Sequence, residues 1–570
     1  MEDPLDIKND IQHVEASTAA PKSKDDAGNN DFIANYIGLA SNDARDINDD
    51  EKIMSLSTGL KLYPKAIMWS VIVSSSLIME GYDLALLSNF YALPAFKDKF
   101  GVLGSDGTRE VPSKWQTGLT MCVNCGEIIG LQFAGWFADN LGYKKTMGTF
   151  LVFVTGFLFI LFFAPTLAVL AVGEILIGIC FGCFQTMAVN YASDVCPLAL
   201  RYYLTTYINI CWVFGQLVAS GVLRAKANDS TDWAYKVPYA IQWIWPVPIF
   251  IGILFAPESP WWLVKKGKYA QAKNSIKRLL TQHEDQPDIN ITSENMIKFM
   301  KLTNDLEKEK NEGTSYLDCF KGVDLRRTEI TVVAWLFQNE CGNALMVYST
   351  YFFQQAGLST DYSFDFTIIM YALGIAGCLC SWFLSKFTGR FEIYFGGLAT
   401  MFILMFVTGC LGLAPKHLDG PKWAVGSLLI IACFVYDMTL GPVCYAIVSE
   451  MASTRLRIKT VIISRNIYNI GGIFNAIVTP YMLNPQSWDW SSKTGFFWAG
   501  SCFLGMIWAW FRLPETKGRT FVELDMLFEH KVPARKFKST EVDPFSEEHL
   551  TKLKNEEDYN LVKKEIEDFS

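Results

Sequence analysis

Several ionisable side chains stand inside long apolar stretches of this 570-residue chain. Glu80 and Asp83 share one stretch, Glu127 lies in the next, and Arg465 lies near the carboxyl-terminal end. Because a charge inside an apolar helix is costly, such residues usually serve a function. Residues at i and i+3 share a helix face, and two carboxyl groups held close together away from water favour retention of a proton. The pattern predicts reversible proton binding at Glu80, Asp83 and Glu127, with Arg465 as the counter-charge.

A structural role is the alternative interpretation of these charges. A lone acid inside an apolar helix can be a polar contact that neighbouring groups satisfy, or it can lie near an interface. This alternative stays open for Glu80, Glu127 and Arg465. It is the preferred interpretation of three further acids in later stretches, namely Glu174, Glu340 and Asp437.

Amide and aromatic side chains form a second pattern. Asn209 and Gln216 have the spacing of one helix face, and Gln338 and Asn339 are followed by Tyr348 in the same apolar run. Amides both donate and accept hydrogen bonds, and aromatic rings offer apolar faces. The combination suits an uncharged ligand that is rich in hydroxyl groups. The plainer alternative is ordinary hydrogen bonding between packed helices.

The elements that must position these residues are membrane-spanning helices. The chain is 51% hydrophobic and only 19% charged, and a helix needs about 20 apolar residues to cross a bilayer. Because about a dozen such runs occur, the predicted fold class is an all-α membrane protein with twelve transmembrane helices. The Lys- and Arg-rich segment between the sixth and seventh runs is expected in the cytoplasm by the positive-inside rule.

These runs also divide the chain into predicted domains. The polar, acidic amino-terminal segment is expected to be disordered, and both termini are expected on the cytoplasmic side. The predicted domains are an amino-terminal tail at 1–62, a six-helix half at 63–256, a cytoplasmic linker with helices at 257–328, a second six-helix half at 329–513 and a carboxyl-terminal tail at 514–570.

Landmarks of the first half recur in the second half at a nearly constant offset. Asp194 precedes Arg201 after the fourth run, and Glu450 precedes Arg457 in the same way after the tenth. Pro-Glu-Ser follows the sixth run, and Pro-Glu-Thr follows the twelfth. The second half is therefore predicted to repeat the first, with a ligand site between the halves near mid-membrane.

Loops at these landmarks are predicted to act as conformational latches. Asp139 can accept hydrogen bonds from a neighbouring helix N-terminus, while Lys144 and Lys145 can anchor to headgroups and acids. Lys386 occupies the matching place in the second half, so the latch there must use other partners. The predicted latch residues are Asp139, Lys144, Lys145, Asp194, Arg201, Glu450 and Arg457.

The loop motifs carry a family resemblance. Residues 135–145 read G-W-F-A-D-N-L-G-Y-K-K, residues 257–260 read P-E-S-P, and residues 514–518 read P-E-T-K-G. In this order and spacing they resemble the sugar-porter family of the major facilitator superfamily, over roughly residues 60–530. Residues 257–264, 348–352 and 532–538 are most similar to fungal maltose and other α-glucoside permeases.

The resemblance implies a fold and a site. The implied fold is the major facilitator fold with two six-helix halves, and the proton-driven members carry an acid that matches Asp83. Those members also commonly carry an arginine where this chain has Glu174, so a simple aspartate–arginine switch is not available here. The family pattern extends the predicted sugar-binding set, which is Asn209, Gln216, Gln338, Asn339, Asn343, Tyr348, Tyr445, Tyr468 and Asn469.

The expected function is proton-coupled import of α-glucosides across the plasma membrane by alternating access. Maltose is the foremost candidate cargo, with related disaccharides or maltotriose as others, because single pocket substitutions retune such sites. A passive hexose facilitator and a non-transporting sugar sensor stay open as alternatives. The sequence holds no catalytic constellation, cofactor motif or nucleic-acid-binding basic patch. Cys122 and Cys125 form a C-x-x-C, but it lies in an apolar run and no second pair answers it, so a metal site is not expected. Besides sugar, proton and lipid, ubiquitin ligases are expected partners of the tails, near Lys22, Lys24 and Lys536–Lys538.

Overall fold

The computed structural model describes most of the chain between residues 54 and 540. The described residues are 54, 56–103, 109–282, 288–311, 315–414, 419–452, 456–517, 519 and 521–540. The contact pattern separates Met1–Met54 from Ser55–Ser570, and the elements below belong to the second unit. Most of the predicted amino-terminal tail, with Lys22 and Lys24, and residues 541–570 lie outside the described residues.

The first half of the chain consists of helices and one short ribbon. Its helices are α1 (Leu56–Leu62), α2 (Pro64–Ser74), α3 (Ser76–Phe90), α4 (Pro94–Phe100), α5 (Ser113–Leu141), α6 (Tyr143–Phe162), α7 (Leu167–Val195), α8 (Leu198–Lys226), α9 (Trp233–Ile241) and α10 (Pro246–Phe255). The ribbon pairs β1 (Val102–Leu103) with β2 (Arg109–Glu110) in antiparallel register. A 3-10 turn at Gln242–Ile244 joins α9 to α10.

The linker and the second half are also helical. The linker holds α11 (Pro260–Lys265), α12 (Tyr269–Leu279), α13 (Ile289–Asn311) and a 3-10 turn at Tyr316–Phe320. The second half holds α14 (Gly322–Glu340), α15 (Asn343–Val347), α16 (Ser349–Gln355), α17 (Thr360–Phe387), α18 (Arg390–Leu411), α19 (Asp419–Met438), α20 (Leu440–Met451), α21 (Arg457–Leu483) and α22 (Thr494–Arg512). A 3-10 turn at Ser491–Lys493 precedes α22, and α23 (Phe521–Glu529) and a 3-10 turn at Ala534–Lys536 follow it.

The bundle crosses the membrane twelve times. Among the described residues, ten helical stretches are long and apolar enough to span a bilayer. Two further crossings complete the set. Helix α5 makes the second crossing along the chain, although Asn124 and Glu127 interrupt its apolar run, and the broken segment α14–α16 makes the seventh. The predicted all-α class with twelve transmembrane helices is therefore confirmed.

The seventh crossing is broken, whereas the sequence predicts one uninterrupted helix there. Gly342 has a φ of 99°, in the left-handed region that favours glycine. A Cβ at this position would also lie 3.0 Å from the sulfur of Met405. Helix α14 therefore ends at Glu340, and the chain restarts as α15 at Asn343.

Glycines bring α5 and α7 into direct backbone contact. A Cβ on Gly126 or Gly130 of α5 would lie 2.4 or 2.2 Å from a carbonyl oxygen of α7. Reciprocally, a Cβ on Gly178 or Gly182 of α7 would lie 2.5 or 2.3 Å from a carbonyl oxygen of α5. Small residues at a crossing permit this approach. The contact fixes Glu127 of α5 against the polar residues of α7.

The two halves pack against each other along two helix pairs. Helix α8 of the first half lies along α17 of the second, and α5 lies along α21. Trp382 Nε1 donates to Thr206 Oγ1 at 2.7 Å within the first of these contacts. Side chains that project from these four helices and from α3, α7 and α14 therefore meet between the halves.

Candidate functional site

The buried acids of the first half form two carboxyl pairs. Glu80 and Asp83 lie on α3 with 5% and 1% of their surface exposed. The Glu80 carboxyl lies within hydrogen-bonding reach of Glu127 on α5. The Asp83 carboxyl lies within the same reach of Glu174 on α7. The structure thus brings the three predicted proton-binding acids into one region and adds Glu174, for which the sequence favoured a structural role.

Arg465 reaches the first carboxyl pair through a glutamine. Gln185 Nε2 on α7 donates to Glu80 Oε1 at 2.5 Å, and Arg465 Nε on α21 donates to Gln185 Oε1 at 2.9 Å. The guanidinium packs on the rings of Tyr468 at 4.3 Å and Trp212 at 5.1 Å. Such cation–π contacts offset part of the cost of burying the charge.

Gln185 is a residue of the site that sequence reasoning missed. It is 6% exposed and stands alone between Phe184 and Thr186 in the fourth apolar run. An amide in an apolar helix is a weaker signal than a charge. A search for amides in the apolar runs could have found it, because an amide can donate to an acid and accept from an arginine at the same time.

The second carboxyl pair has its own polar neighbours. Gln242 Nε2, in the turn after α9, donates to Asp83 Oδ1 at 2.6 Å. Tyr239 Oη on α9 donates to Glu174 Oε1 at 3.4 Å. These two donors fix one oxygen of each carboxyl, and the other oxygen of each has no donor among the described residues.

Amides of the second half hold α14, α20 and α21 together. Gln338 Nε2 donates to the carbonyl oxygen of Gly441 at 2.8 Å, and Asn339 Nδ2 donates to that of Tyr468 at 3.2 Å. Asn475 Nδ2 donates to Asn339 Oδ1 at 3.2 Å. The NH2 groups of these amides therefore serve contacts between helices, as the plainer interpretation expects.

The rest of the hydrogen-bonding capacity in this region is unused within the described residues. The buried side-chain atoms of this region that have no hydrogen-bond partner there are Gln338 Oε1, Asn466 Oδ1, Asn469 Nδ2, Asn469 Oδ1, Asn475 Oδ1, Trp335 Nε1 and Arg465 Nη1. Buried polar groups are normally paired with protein or ordered water, so these donors and acceptors are available to a ligand that displaces water. Mixed donors and acceptors beside indole rings suit hydroxyl groups on a saturated ring.

Other predicted sugar-binding residues lie beside this cluster or apart from it. Tyr445 packs on Trp335, with ring centroids 6.0 Å apart. Asn209 on α8 donates instead to Asp437 Oδ1 at 3.0 Å and so links the two halves. Gln216 and Asn343 are half-buried on α8 and α15.

Tyr348 lies at the end of the bundle away from the linker, here called the far end. Its hydroxyl is 2.9 Å from Thr120 Oγ1, and its ring stacks on that of Tyr91. Gln354 Nε2 donates to the carbonyl oxygen of Ala92 at 3.0 Å in the same layer. Since these bonds join the two halves, the far end is closed in this structure.

The ribbon loop adds an ion pair to the far end. Lys97 Nζ lies 2.8 Å from Glu110 Oε1, with 16% and 9% of the two side chains exposed. The same ammonium lies 5.7 Å from the ring centre of Tyr351 on α16. The loop of the first half thus contacts the seventh crossing of the second half.

At the linker end of the first half, the repeated landmarks touch one another. Glu258 accepts hydrogen bonds from the backbone N–H groups of Tyr143 and Lys144 at 3.0 and 3.2 Å, and so caps α6. Ser259 Oγ donates to Asp194 Oδ2 at 2.6 Å. Burial raises the pKa of Glu258, and the backbone donors oppose that shift. Lys145 is exposed.

The second half repeats this arrangement. Glu515 accepts from the backbone N–H groups of Arg390 and Phe391 at 2.8 and 3.1 Å and caps α18. Thr516 Oγ1 donates to Glu450, which also pairs with Arg390 at 3.3 Å. The sequence had marked Glu258 and Glu515 only as repeat landmarks. The predicted latch side chains of Asp139, Arg201 and Arg457 lie outside the described part of the structure.

Sequence comparisons give a family and close relatives. The family described as "Sugar (and other) transporter" matches residues 69–528. A general alpha-glucoside permease of Saccharomyces cerevisiae and a maltose permease of the same yeast are each 46% identical over 541 residues, which is 94% of this chain and 87% of the relative. An alpha-glucosides permease of that yeast is 47% identical over 542 residues, with 94% and 88% covered.

Solved structures give the fold. A proton:xylose symporter of the major facilitator superfamily superposes with a TM-score of 0.66 at 20% identity, covering 82% of this chain and all of its own. The inward-open xylose transporter of E. coli gives a TM-score of 0.63 at 19% identity, with 81% and 99% covered. At this identity the likeness concerns the fold, and it confirms the predicted major facilitator arrangement of two six-helix halves.

Proposed function

The chain belongs to the sugar transporter family of membrane proteins, and we propose that it imports α-glucosides, maltose foremost, together with protons. It is a transporter and not an enzyme, as are its permease relatives. The observation that carries the proposal is the link from Glu80 through Gln185 to Arg465. This link connects the carboxyl pair of Glu80 and Glu127 in one half with helix α21 of the other half, which carries unpaired amides.

The proton-binding part of the proposal rests on the two carboxyl pairs. Four buried acids, Glu80, Asp83, Glu127 and Glu174, lie in one region, and Arg465 is the buried cation that faces two of them, Glu80 and Glu127. Ionisation of all four at once in a low-dielectric site would be strongly unfavourable, so protons must bind some of them. Loading the site with protons at one membrane face and unloading it at the other would drive accumulation of the sugar.

The sugar-binding part rests on the unpaired polar atoms of the second half. Gln338, Asn469 and Asn475 each keep a free hydrogen-bonding atom among the described residues. The relatives that are named for α-glucosides cover almost the whole chain at 46–47% identity, which supports this cargo class. We keep Asn209, Gln216 and Tyr348 as candidate contacts for a state in which the halves have moved.

The orientation follows the charges. The far end faces the outside, and the basic linker at 257–328 faces the cytosol together with both tails. The two halves comprise 63–256 and 329–513, and they alternate about the central site in the plasma membrane. In this frame the far-end contact between Tyr348 and Thr120 keeps the site closed to the outside.

Uptake of labelled maltose by a yeast strain that lacks its own carriers tests the proposal, with alkalinisation of the medium recorded in parallel. Wild-type protein is expected to take up maltose and protons together. Asp83→Asn and Arg465→Ala are expected to abolish proton movement. Sugar uptake without alkalinisation would identify a passive facilitator, and the absence of any sugar movement would favour a sensor.

Turnover through the tails is a separate part of the proposal. Lys536 and Lys538 are exposed at the end of the described chain, and Lys538 pairs with Glu392 at 3.0 Å. Lys22 and Lys24 lie outside the described residues. Ubiquitin ligases are expected to use these lysines, so replacing all four by arginine should lengthen the surface lifetime. An unchanged lifetime would count against the idea.

A further inference from the structure

Glu174 is the member of the two carboxyl pairs whose own role the proposed function leaves unspecified. It is 0% exposed on α7 and faces Asp83, which is 1% exposed on α3. A buried carboxylate normally pairs with a cation or with several donors. Among the described salt bridges none involves Asp83 or Glu174. The contact between two acids therefore needs its own explanation.

The hydrogen bonds of the pair account for only half of its oxygens. Asp83 Oδ1 accepts from Gln242, and Glu174 Oε1 accepts from Tyr239. Asp83 Oδ2 and Glu174 Oε2 have no donor among the described residues. The two carboxyl groups lie within hydrogen-bonding reach of each other. Because ionised carboxylates only accept, such a contact is a hydrogen bond only when one of the two acids carries a proton.

Charges from the neighbouring elements do not neutralise the pair. Glu127 on α5 faces Asp83 and adds negative charge. The carboxyl neighbours of Arg465 are Glu80 and Glu127. Among the described residues, the other titratable groups that face the pair are neutral: Tyr82 on α3, Tyr91 just after α3, Cys122 on α5 and Tyr239 on α9.

We propose that Asp83 and Glu174 share a single proton between Oδ2 and Oε2, so that the pair is a second proton-holding site beside Glu80 and Glu127. The inference rests on the proposed symport and deepens it. One proton bound gives a singly charged pair whose remaining oxygens accept from Gln242 and Tyr239. Loss of that proton to water leaves two ionised carboxylates in contact, which is unfavourable until water enters. Release is therefore tied to opening of the site.

Infrared spectroscopy of the purified full-length protein tests the shared proton without any need for transport. The carboxylic C=O band of the pair should be lost in Glu174→Gln and also in Asp83→Asn, because the remaining acid is then ionised. The double variant should lose no further band, because both acids contribute to one proton. A band that survives unchanged in either single variant, or losses that add in the double variant, would overturn the inference. If one single variant does not fold, the band of the other single variant still tests whether the proton is shared.

The pH dependence of maltose uptake supplies a second measurement. In Glu174→Gln the new amide can donate to Asp83, which then gives up its proton more readily. Half-maximal uptake should therefore move to lower pH, by on the order of 1 unit, while exchange of sugar without net proton movement is retained. Glu340→Gln, a buried acid of the second half, is the matched control. A wild-type pH profile with normal exchange would overturn the inference, whereas wild-type uptake without proton movement would instead overturn the symport.

Discussion

Glu80 and Arg465 lie in opposite halves of the bundle, and the amide of Gln185 bridges them. The amide donates to the carboxylate at 2.5 Å and accepts from the guanidinium at 2.9 Å. One side chain therefore connects the acid pair of the first half with the helix that carries Tyr468 and Asn469. A relative movement of α7 and α21 must stretch or break one of these two bonds.

Gln185→Leu should uncouple the two sites. The substitution keeps the side-chain volume but removes the donor to Glu80 and the acceptor for Arg465. Hydrogen bonds to charged groups are worth about 1.5–3 kcal/mol, so the initial rate of proton-driven maltose uptake should fall about 10- to 100-fold. Uptake and proton influx are measured in the same cells.

Thr186→Val is the matched control for this prediction. Thr186 is the next residue on α7, and among the described residues its hydroxyl bonds to the carbonyl oxygen of Gly182 in its own helix. Its uptake should stay close to wild type. Full proton coupling in Gln185→Leu would show that Glu80 and Arg465 act independently.

Asn469→Leu should weaken sugar binding with little effect on folding. Asn469 is 0% exposed, and neither of its amide atoms has a partner among the described residues. An apolar replacement removes an unpaired buried polar group, so stability should not fall. Loss of one ligand hydrogen bond should raise the KM for maltose about 10-fold.

The control for Asn469 is Asn140→Ala at the linker end, where the amide bonds to the carbonyl oxygen of Trp136 one turn back. Both variants are assayed at matched surface levels. If Asn469→Leu left the KM unchanged, the unpaired atoms would not contact the sugar in the transport cycle.

The sequence predicts the crossings well because hydrophobic length sets them directly. It also marks Glu80, Asp83, Glu127 and Arg465, because a charge in an apolar run is conspicuous. It does not show which acid meets which, because helix rotation depends on backbone contacts such as that of Gly130 with Ile179. A shift of one residue in that register would turn Glu127 away from α3.

Other features escape sequence reasoning for similar reasons. The break after Glu340 depends on the left-handed backbone at Gly342, and a glycine inside an apolar run gives only a weak signal. The caps made by Glu258 and Glu515 bridge residues more than a hundred positions apart. Motif spacing shows that such residues recur, but only the folded chain shows that they touch.

The ion pair of Lys97 and Glu110 should contribute strongly to the stability of the far end. Both side chains are largely buried, so Lys97→Met leaves Glu110 in a poorly hydrated place and should cost about 3–5 kcal/mol. The Tm of the purified protein is expected to fall. In transport assays the far end should open more often, which cysteine labelling at the mouth would report.

Lys99→Met is the comparison for this pair. Lys99 pairs with Asp232 at 3.4 Å, with 43% and 49% of the side chains exposed. Exposed pairs of this kind contribute about 0–1 kcal/mol. Equal losses of Tm in the two variants would mean that burial is not what gives the Lys97 pair its effect.

Gly130→Ala should separate α5 from α7 and thereby disturb both carboxyl pairs. The added Cβ would lie 2.2 Å from the carbonyl oxygen of Ile179, and a backbone atom cannot move aside as a side chain can. Overpacking typically costs about 1–3 kcal/mol, so Tm should fall. Because α5 carries Glu127 while α7 carries Gln185, the shift should also reduce proton-coupled uptake more than sugar exchange.

Gly118→Ala on the same helix tests whether this effect comes from the contact or from glycine itself. Nothing lies within 4 Å of a Cβ at Gly118, and replacing a helical glycine by alanine normally favours the helix by about 0.5–1 kcal/mol. Its Tm should therefore stay level or rise, with uptake unchanged. Similar losses of Tm and uptake in both variants would mean that any change in helix α5 has this effect. A loss confined to Gly130→Ala would tie proton coupling to the distance between α5 and α7.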